Sequence, residues 1–224
     1  MRQYPNVAVV NIRLDTYADP NSIAKVNLLF VSEAPPGGQN LGSFFHIPQR
    51  EDPLRRKLFA ALSHTETLRT IQGMENEKGL QFFLSNGLYL LPSFNFPCSK
   101  RDNLSGHNYP KNANPTYDQL THSSTHLRDE INLIRPKKVF TLGNSALFTV
   151  LQGFGSTTQE AAALARSVTR TSRLDFYVGT TFHIDTGEDC EVWIENWPRI
   201  PSMKNVRFKR LVRVLREALD MVDF

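Results

Sequence analysis

Three short apolar runs punctuate the chain: Val26-Asn27-Leu28-Leu29-Phe30-Val31, Leu88-Tyr89-Leu90-Leu91 and Val139-Phe140-Thr141-Leu142. Each is near-continuous rather than alternating, which predicts strands buried on both faces, as in a parallel sheet covered by helices. The first stops abruptly at Ser32-Glu33-Ala34-Pro35-Pro36-Gly37-Gly38. Between the runs, apolar residues recur at helical spacing. Asp52-Pro53 supplies an N-cap and a first helical position for a helix through Leu54, Leu58, Phe59 and Leu62. A second amphipathic segment covers Leu68 to Met74, and a short helix ends at Ser85 with Asn86-Gly87 as its stop signal. Pro115-Thr116 opens a long helix through Leu120, Leu127, Ile131 and Ile134 that ends at Arg135-Pro136. Asn144-Ser145-Ala146 enters a helix to about Leu151, and Thr158 to Val168 reads as another after a break at Gly153 to Ser156.

Phe176 to Ile184 and Glu191 to Ile194 read as closing strands around a turn at Asp185-Thr186-Gly187. A terminal helix carries Phe208, Leu211, Val212 and Leu215 beside a row of arginines and lysines. Val7 to Ile12 is an isolated apolar run, so residues 1–24 are expected to form an N-terminal arm or edge strand. Strands and helices in alternation predict an α/β fold with a mostly parallel sheet covered on both sides.

Composition narrows the class. A chain of 224 residues with 40% hydrophobic residues fits one domain with a sizeable core. No apolar run approaches the ~20 residues of a membrane span, and the N-terminus lacks a signal-peptide core, so a cytoplasmic protein is expected. Two cysteines cannot make a disulfide framework, a four-cysteine zinc site or a four-cysteine iron–sulfur cluster. The formal charge of +4 permits a polyanionic partner.

Candidate chemistry sits where strands give way to loops, since ligands of open α/β sheets bind beyond the strands' carboxyl ends. Glu33 is the acid at the first such end, and Pro35, Pro36 and the two glycines shape a turn that a ligand can approach closely. Phe44 and Phe45 are adjacent aromatics in a loop, one expected in the core and the other in a pocket. A long polar loop from Pro92 to Pro115 carries Asn95, Lys100, Arg101 and Lys111. A second, Asn196 to Asn205, holds Trp197, Arg199, Ile200, Pro201, Ser202, Met203 and Lys204, and runs into Arg207, Lys209 and Arg210. These cations suit phosphate clamping, and Met203 could wedge between base steps. Asp185, Glu188 and Asp189 form an acidic turn expected to face away from any phosphate path.

The ordered set of motifs resembles the uracil-DNA glycosylase superfamily, most closely its family 4 and family 5 branches. It comprises the Glu-Ala-Pro-Pro-Gly-Gly loop, Gly-Ser-Phe-Phe, Asn114-Pro115-Thr116, Ile134-Arg-Pro-Lys-Lys-Val-Phe-Thr-Leu-Gly-Asn-Ser-Ala146 and the late Pro201-Ser202. The resemblance spans residues 26 to 218 and implies a single domain over 1–224 with a three-layer α/β/α sandwich around a short central sheet. It places Glu33 on the family's water-positioning carboxylate, with Ala34 and Pro35 beside it. Phe44 or Phe45 falls where an aromatic stacks on the extruded base, and Ile200-Pro201-Ser202 falls on the His-Pro-Ser loop that enters the minor groove. Three positions depart from the family. Its base-reading asparagine aligns with Leu91 or Pro92, leaving Asn95 as a substitute. Its loop histidine is Ile200, or Trp197. Thr121 or His122 stands where a cluster cysteine would lie.

The resemblance therefore implies a monofunctional DNA glycosylase, without cofactor or metal, that flips a deaminated or modified base rather than plain uracil from duplex or single-stranded DNA. A modified pyrimidine of phage DNA, removed in defence, is one such substrate. Arg199, Asn196 and His183 are the side chains available to replace the lost histidine donor. Two alternatives belong to other classes: a catalytically weak DNA-binding relative, and an enzyme acting on a free nucleotide. Neither Gly-x-Gly-x-x-Gly nor a Walker motif occurs to support the last. A monomer is expected, with DNA as partner and no membrane.

Overall fold

The computed structural model describes residues 26–32, 45, 52–65, 68–93, 117–142, 144–170, 183–185, 189–195, 212–213 and 215–216. Five strands form one sheet: β1 (Leu28–Ser32), β2 (Leu88–Pro92), β3 (Lys138–Leu142), β4 (His183–Asp185) and β5 (Asp189–Glu195). Their order across the sheet is β2-β1-β3-β5-β4. The first four in that order run parallel, and β4 returns antiparallel beside β5. The helices are α1 (Pro53–Leu62), α2 (Asn76–Ser85), α3 (Tyr117–Ile134), α4 (Asn144–Gly153) and α5 (Thr158–Arg170). The fold is α/β, as the alternation of strand and helix predicts.

Every residue of β1, β2 and β3 is buried. That explains why the three runs are continuous: side chains alternate between two faces, and both faces are covered. Leu28, Phe30, Leu88, Leu90, Phe140 and Leu142 belong to one core with α1, α2 and the terminal residues Val212 and Leu215. Leu29, Val31, Tyr89, Leu91 and Val139 belong to the other, with Leu127 and Ile131 of α3 and Ala146 and Val150 of α4. Helix–sheet–helix layering follows directly from that split.

Local signals hold the layers in place. Asp52 caps α1, its Oδ1 accepting from the Arg55 N–H at 2.6 Å, with Pro53 at the first helical position. Gly87, at φ 68°, reverses the chain between α2 and β2 in a left-handed conformation that a glycine adopts without strain. Thr157 and Glu160 form a reciprocal capping box at the start of α5: Glu160 Oε2 accepts from the Thr157 N–H at 2.9 Å, and Thr157 Oγ1 accepts from the Glu160 N–H at 3.2 Å. Gly153 lets α4 lie against α3, since a Cβ there would stand 2.8 Å from the Ser124 carbonyl oxygen. The amphipathic segment expected over Leu68 to Met74 buries Leu68 and Ile71 but contains only a 3₁₀ turn, Ile71–Gly73. Only seven residues, Leu68–Met74, precede Glu75, the cap of the next helix.

Phe83 is the hub of the first core. Its ring centroid lies 5.4 Å from Phe45, 5.9 Å from Phe30 and 5.9 Å from Phe59. Phe45 also meets Phe59 edge-on at 6.1 Å.

Candidate functional site

Parallel strands bring their carboxyl ends to one edge of the sheet, and the register makes that edge level. Ser32 pairs with Pro92, Val31 with Thr141, and Leu142 with Glu195. The chain therefore leaves β1 towards Glu33, β2 towards Asn95 and β5 towards Arg199 from neighbouring points on one edge. The order reverses at β1, which has β2 on one side and β3 on the other. Such a switch point opens a crevice between adjacent strand ends.

At this edge the aliphatic lining gives way to small polar side chains. Ser32, Ser93 and Thr141 are all buried. Buried hydroxyls need partners, and Ser93 shows how one is met: its hydroxyl and its backbone N–H both donate to the Ser32 carbonyl, each at 2.7 Å. A single residue separates the end of β3 from the start of α4, so the helix amino terminus lies at the same edge, and its first turn has no acidic residue. The positive end of a helix dipole favours negative charge there.

The register corrects one expectation. His183 pairs with Glu191, Glu191 with Lys138, and Lys138 with Leu28. His183 is thus level with the first residue of β1, about 13 Å along the strands from the carboxyl edge and about 14 Å across them. It cannot share a pocket with an acid that follows Ser32. The physical reason is the hairpin: a three-residue connection between β4 and β5 can join only antiparallel strands. The same geometry puts Asp185 and Asp189 at the amino edge of the sheet.

Of the two adjacent phenylalanines, Phe45 is the core residue, 2% exposed within the cluster around Phe83. Its ring is engaged there rather than left to line a base pocket, and Phe44 is the remaining candidate for stacking. Leu91 and Pro92 are likewise buried at the end of β2, with Leu91 in the second core, so neither can read a base edge. Glu33, Ala34, Pro35, Phe44, Asn95, Arg199, Pro201, Ser202, Met203, Lys204, Arg207, Lys209 and Arg210 lie outside the described residues.

Arg55 is a feature that the sequence reading missed. It is 1% exposed, and its Nη1 donates to the Phe45 carbonyl at 2.8 Å, tying α1 to the loop that carries the phenylalanine pair. The signal was present: Arg55, Leu58, Phe59 and Leu62 fall at i, i+3, i+4 and i+7, the buried stripe of the helix. Asp52, also buried, has its carboxyl raised above the ordinary 3.8 by burial, against the opposing pull of the Arg55 N–H and guanidinium. A raised folded-state value means stability that is fully present below the ordinary value and lost as pH rises through the raised one. Asparagine keeps the cap without titrating. Wild type is therefore expected to gain stability relative to Asp52→Asn between about pH 7 and about pH 4, in urea midpoints measured at both; an unchanged difference would contradict this reading.

The terminal helix is anchored at the far end of α1. Val212 and Leu215 enter the first core, and Arg216 donates from Nε and Nη2 to the His64 carbonyl at 2.9 and 2.6 Å. Among the described residues no three His, Cys, Asp or Glu side chains gather to hold a metal, and no helix is long and apolar enough to cross a membrane. No known family model matches the chain, and no curated protein matches it.

Proposed function

We propose that the protein is a monofunctional DNA glycosylase, related to the uracil-DNA glycosylase superfamily, that extrudes a deaminated or modified base and hydrolyses its N-glycosidic bond. One observation carries the reading: a parallel sheet of order β2-β1-β3-β5 whose level carboxyl edge is the exit point of three segments. These are the segments that carry the acid, the polar middle loop and the basic loop. A groove built from them would hold DNA across the strand ends, with Arg199, Lys204, Arg207, Lys209 and Arg210 on phosphates.

The chemistry asks for little more. Flipping costs a few kcal/mol, offset by stacking on an aromatic such as Phe44 and by hydrogen bonds to the base edge. As the bond breaks, the base departs with the electron pair and the sugar gains oxocarbenium character. Glu33 stabilises that cation and orients the water whose oxygen ends on C1′, while a proton from water goes to the base. With His183 placed at the opposite edge, the donor that steadies the leaving base comes from the Asn196–Arg199 segment or from the middle loop. Glu33 keeps its place in the motif while the base-reading positions differ from those of uracil enzymes, which favours a deaminated or modified base other than plain uracil.

A panel of duplex and single-stranded oligonucleotides, each with one modified base, tests this when treated with alkali after incubation with the protein. Strand breaks at one modified base are expected. Equal binding to modified and unmodified DNA with no alkali-labile product would instead select the DNA-binding alternative.

A further inference from the structure

The carboxyl ends of β1 and β2 are joined by a contact whose second half the sheet does not need. Ser32 is in register with Pro92, which has no N–H to give. In a parallel ladder the residue after the register partner is the donor in any case, and Ser93 makes that bond, its N–H donating to the Ser32 carbonyl at 2.7 Å. Its hydroxyl then donates to the same oxygen, also at 2.7 Å. Both residues are buried, at 2% and 6% exposure.

We propose that Ser93 is a positioning residue for Glu33. This rests on the glycosylase reading, in which Glu33 is the acid that must be aimed. The Ser32 carbonyl belongs to the planar peptide unit whose nitrogen is that of Glu33. One donor fixes the distance of that oxygen; two, converging on its two lone pairs, also fix the rotation of the plane. The direction in which the chain leaves β1 is thereby set by a side chain from the neighbouring loop. Ser93 also opens the segment that reaches Asn95, so one hydroxyl ties together the two loops that supply the acid and the candidate base reader. The bond contributes little to folding. With alanine at 93 the backbone N–H still satisfies the carbonyl, and no buried donor or acceptor is stranded. A contact that is cheap to lose for stability, placed one bond from the reacting acid, serves preorganisation.

The test compares the full chain with Ser93→Ala and Ser93→Thr. Two readouts are used: single-turnover excision with KM for DNA, and amide hydrogen exchange of the segment that follows β1. Ser93→Ala is expected to lower the excision rate about ten- to a hundredfold with KM and the thermal midpoint unchanged. It is also expected to speed exchange after β1 about tenfold without affecting β3 or α2. Ser93→Thr, which keeps the hydroxyl, restores both. An unchanged rate and exchange in Ser93→Ala, or failure of threonine to rescue, overturns the assignment. Should the wild type excise no base, the glycosylase reading falls, and the exchange comparison still decides whether Ser93 orders the exit of β1.

Discussion

Replacing Phe83 with alanine is expected to lower the unfolding free energy by about 3–5 kcal/mol, the range for removing a large buried aromatic. The case for the upper part of that range is the number of partners. Phe83 is fully buried and contacts three other rings, Phe30 on the sheet, Phe59 on α1 and Phe45 on the loop between them. Aromatic pairs contribute roughly 0.5–1.5 kcal/mol each beyond their burial. Phe30 is also packed at 5.5 Å on Phe140, so a void at Phe83 opens onto the central strands. The void cannot collapse easily, because α2 is held against Phe59 by Gly79, whose Cβ position is 2.8 Å from that ring. For a chain of this size the loss corresponds to about 6–20 °C in thermal midpoint. A shift of less than about 1 kcal/mol in urea unfolding would show that Phe83 is not the hub described.

The second large effect is chemical. Glu33→Gln is expected to cut base excision about a hundred- to ten-thousandfold, the range for losing a positioned acid or base. Glutamine has nearly the same shape but neither stabilises an oxocarbenium ion by charge nor draws a proton from water. Affinity for DNA should be unchanged or slightly tighter, since the substitution removes a negative charge beside a phosphate chain. Single-turnover rates and binding isotherms on one oligonucleotide separate the two quantities. Full activity in Glu33→Gln would remove Glu33 from the chemistry. A parallel loss of rate and affinity would point to a misfolded loop rather than to a missing carboxylate.

The central strands were legible in the sequence for a definite reason. Burial on both faces leaves no polar position to interrupt Leu28–Ser32, Leu88–Pro92 or Lys138–Leu142 beyond the small polar residues at the carboxyl edge and Lys138 at the other. Asp52-Pro53 and Asn86-Gly87 were equally plain, because each satisfies a backbone requirement that few other residues meet. What failed was placement across the sheet. His183 is a candidate donor by its nearness to a late strand end, and it begins β4, but which edge it occupies depends on strand direction. That direction was available from the short Asp185-Thr186-Gly187 turn, which cannot span a parallel crossover. Apolar pattern also could not choose between Phe44 and Phe45, since both are equally greasy. The choice is made by tertiary contact: Phe45 is the residue whose carbonyl meets Arg55 and whose ring meets Phe83. Arg55 itself was hidden by its charge, although its spacing to Leu58, Phe59 and Leu62 marked it as inward. Ser93 carried no sequence signal at all, since its importance comes from a partner 61 residues away.

The measurement that bears most directly on the central claim is the mass of the DNA product. An oligonucleotide with a single modified base is incubated with the protein and weighed intact, before any alkali. The account predicts one strand of unbroken length in which the base has been exchanged for a hydroxyl, together with the free base in solution. A product unchanged in mass for every modified base offered would contradict it, as would a strand cut at the backbone with its base still attached.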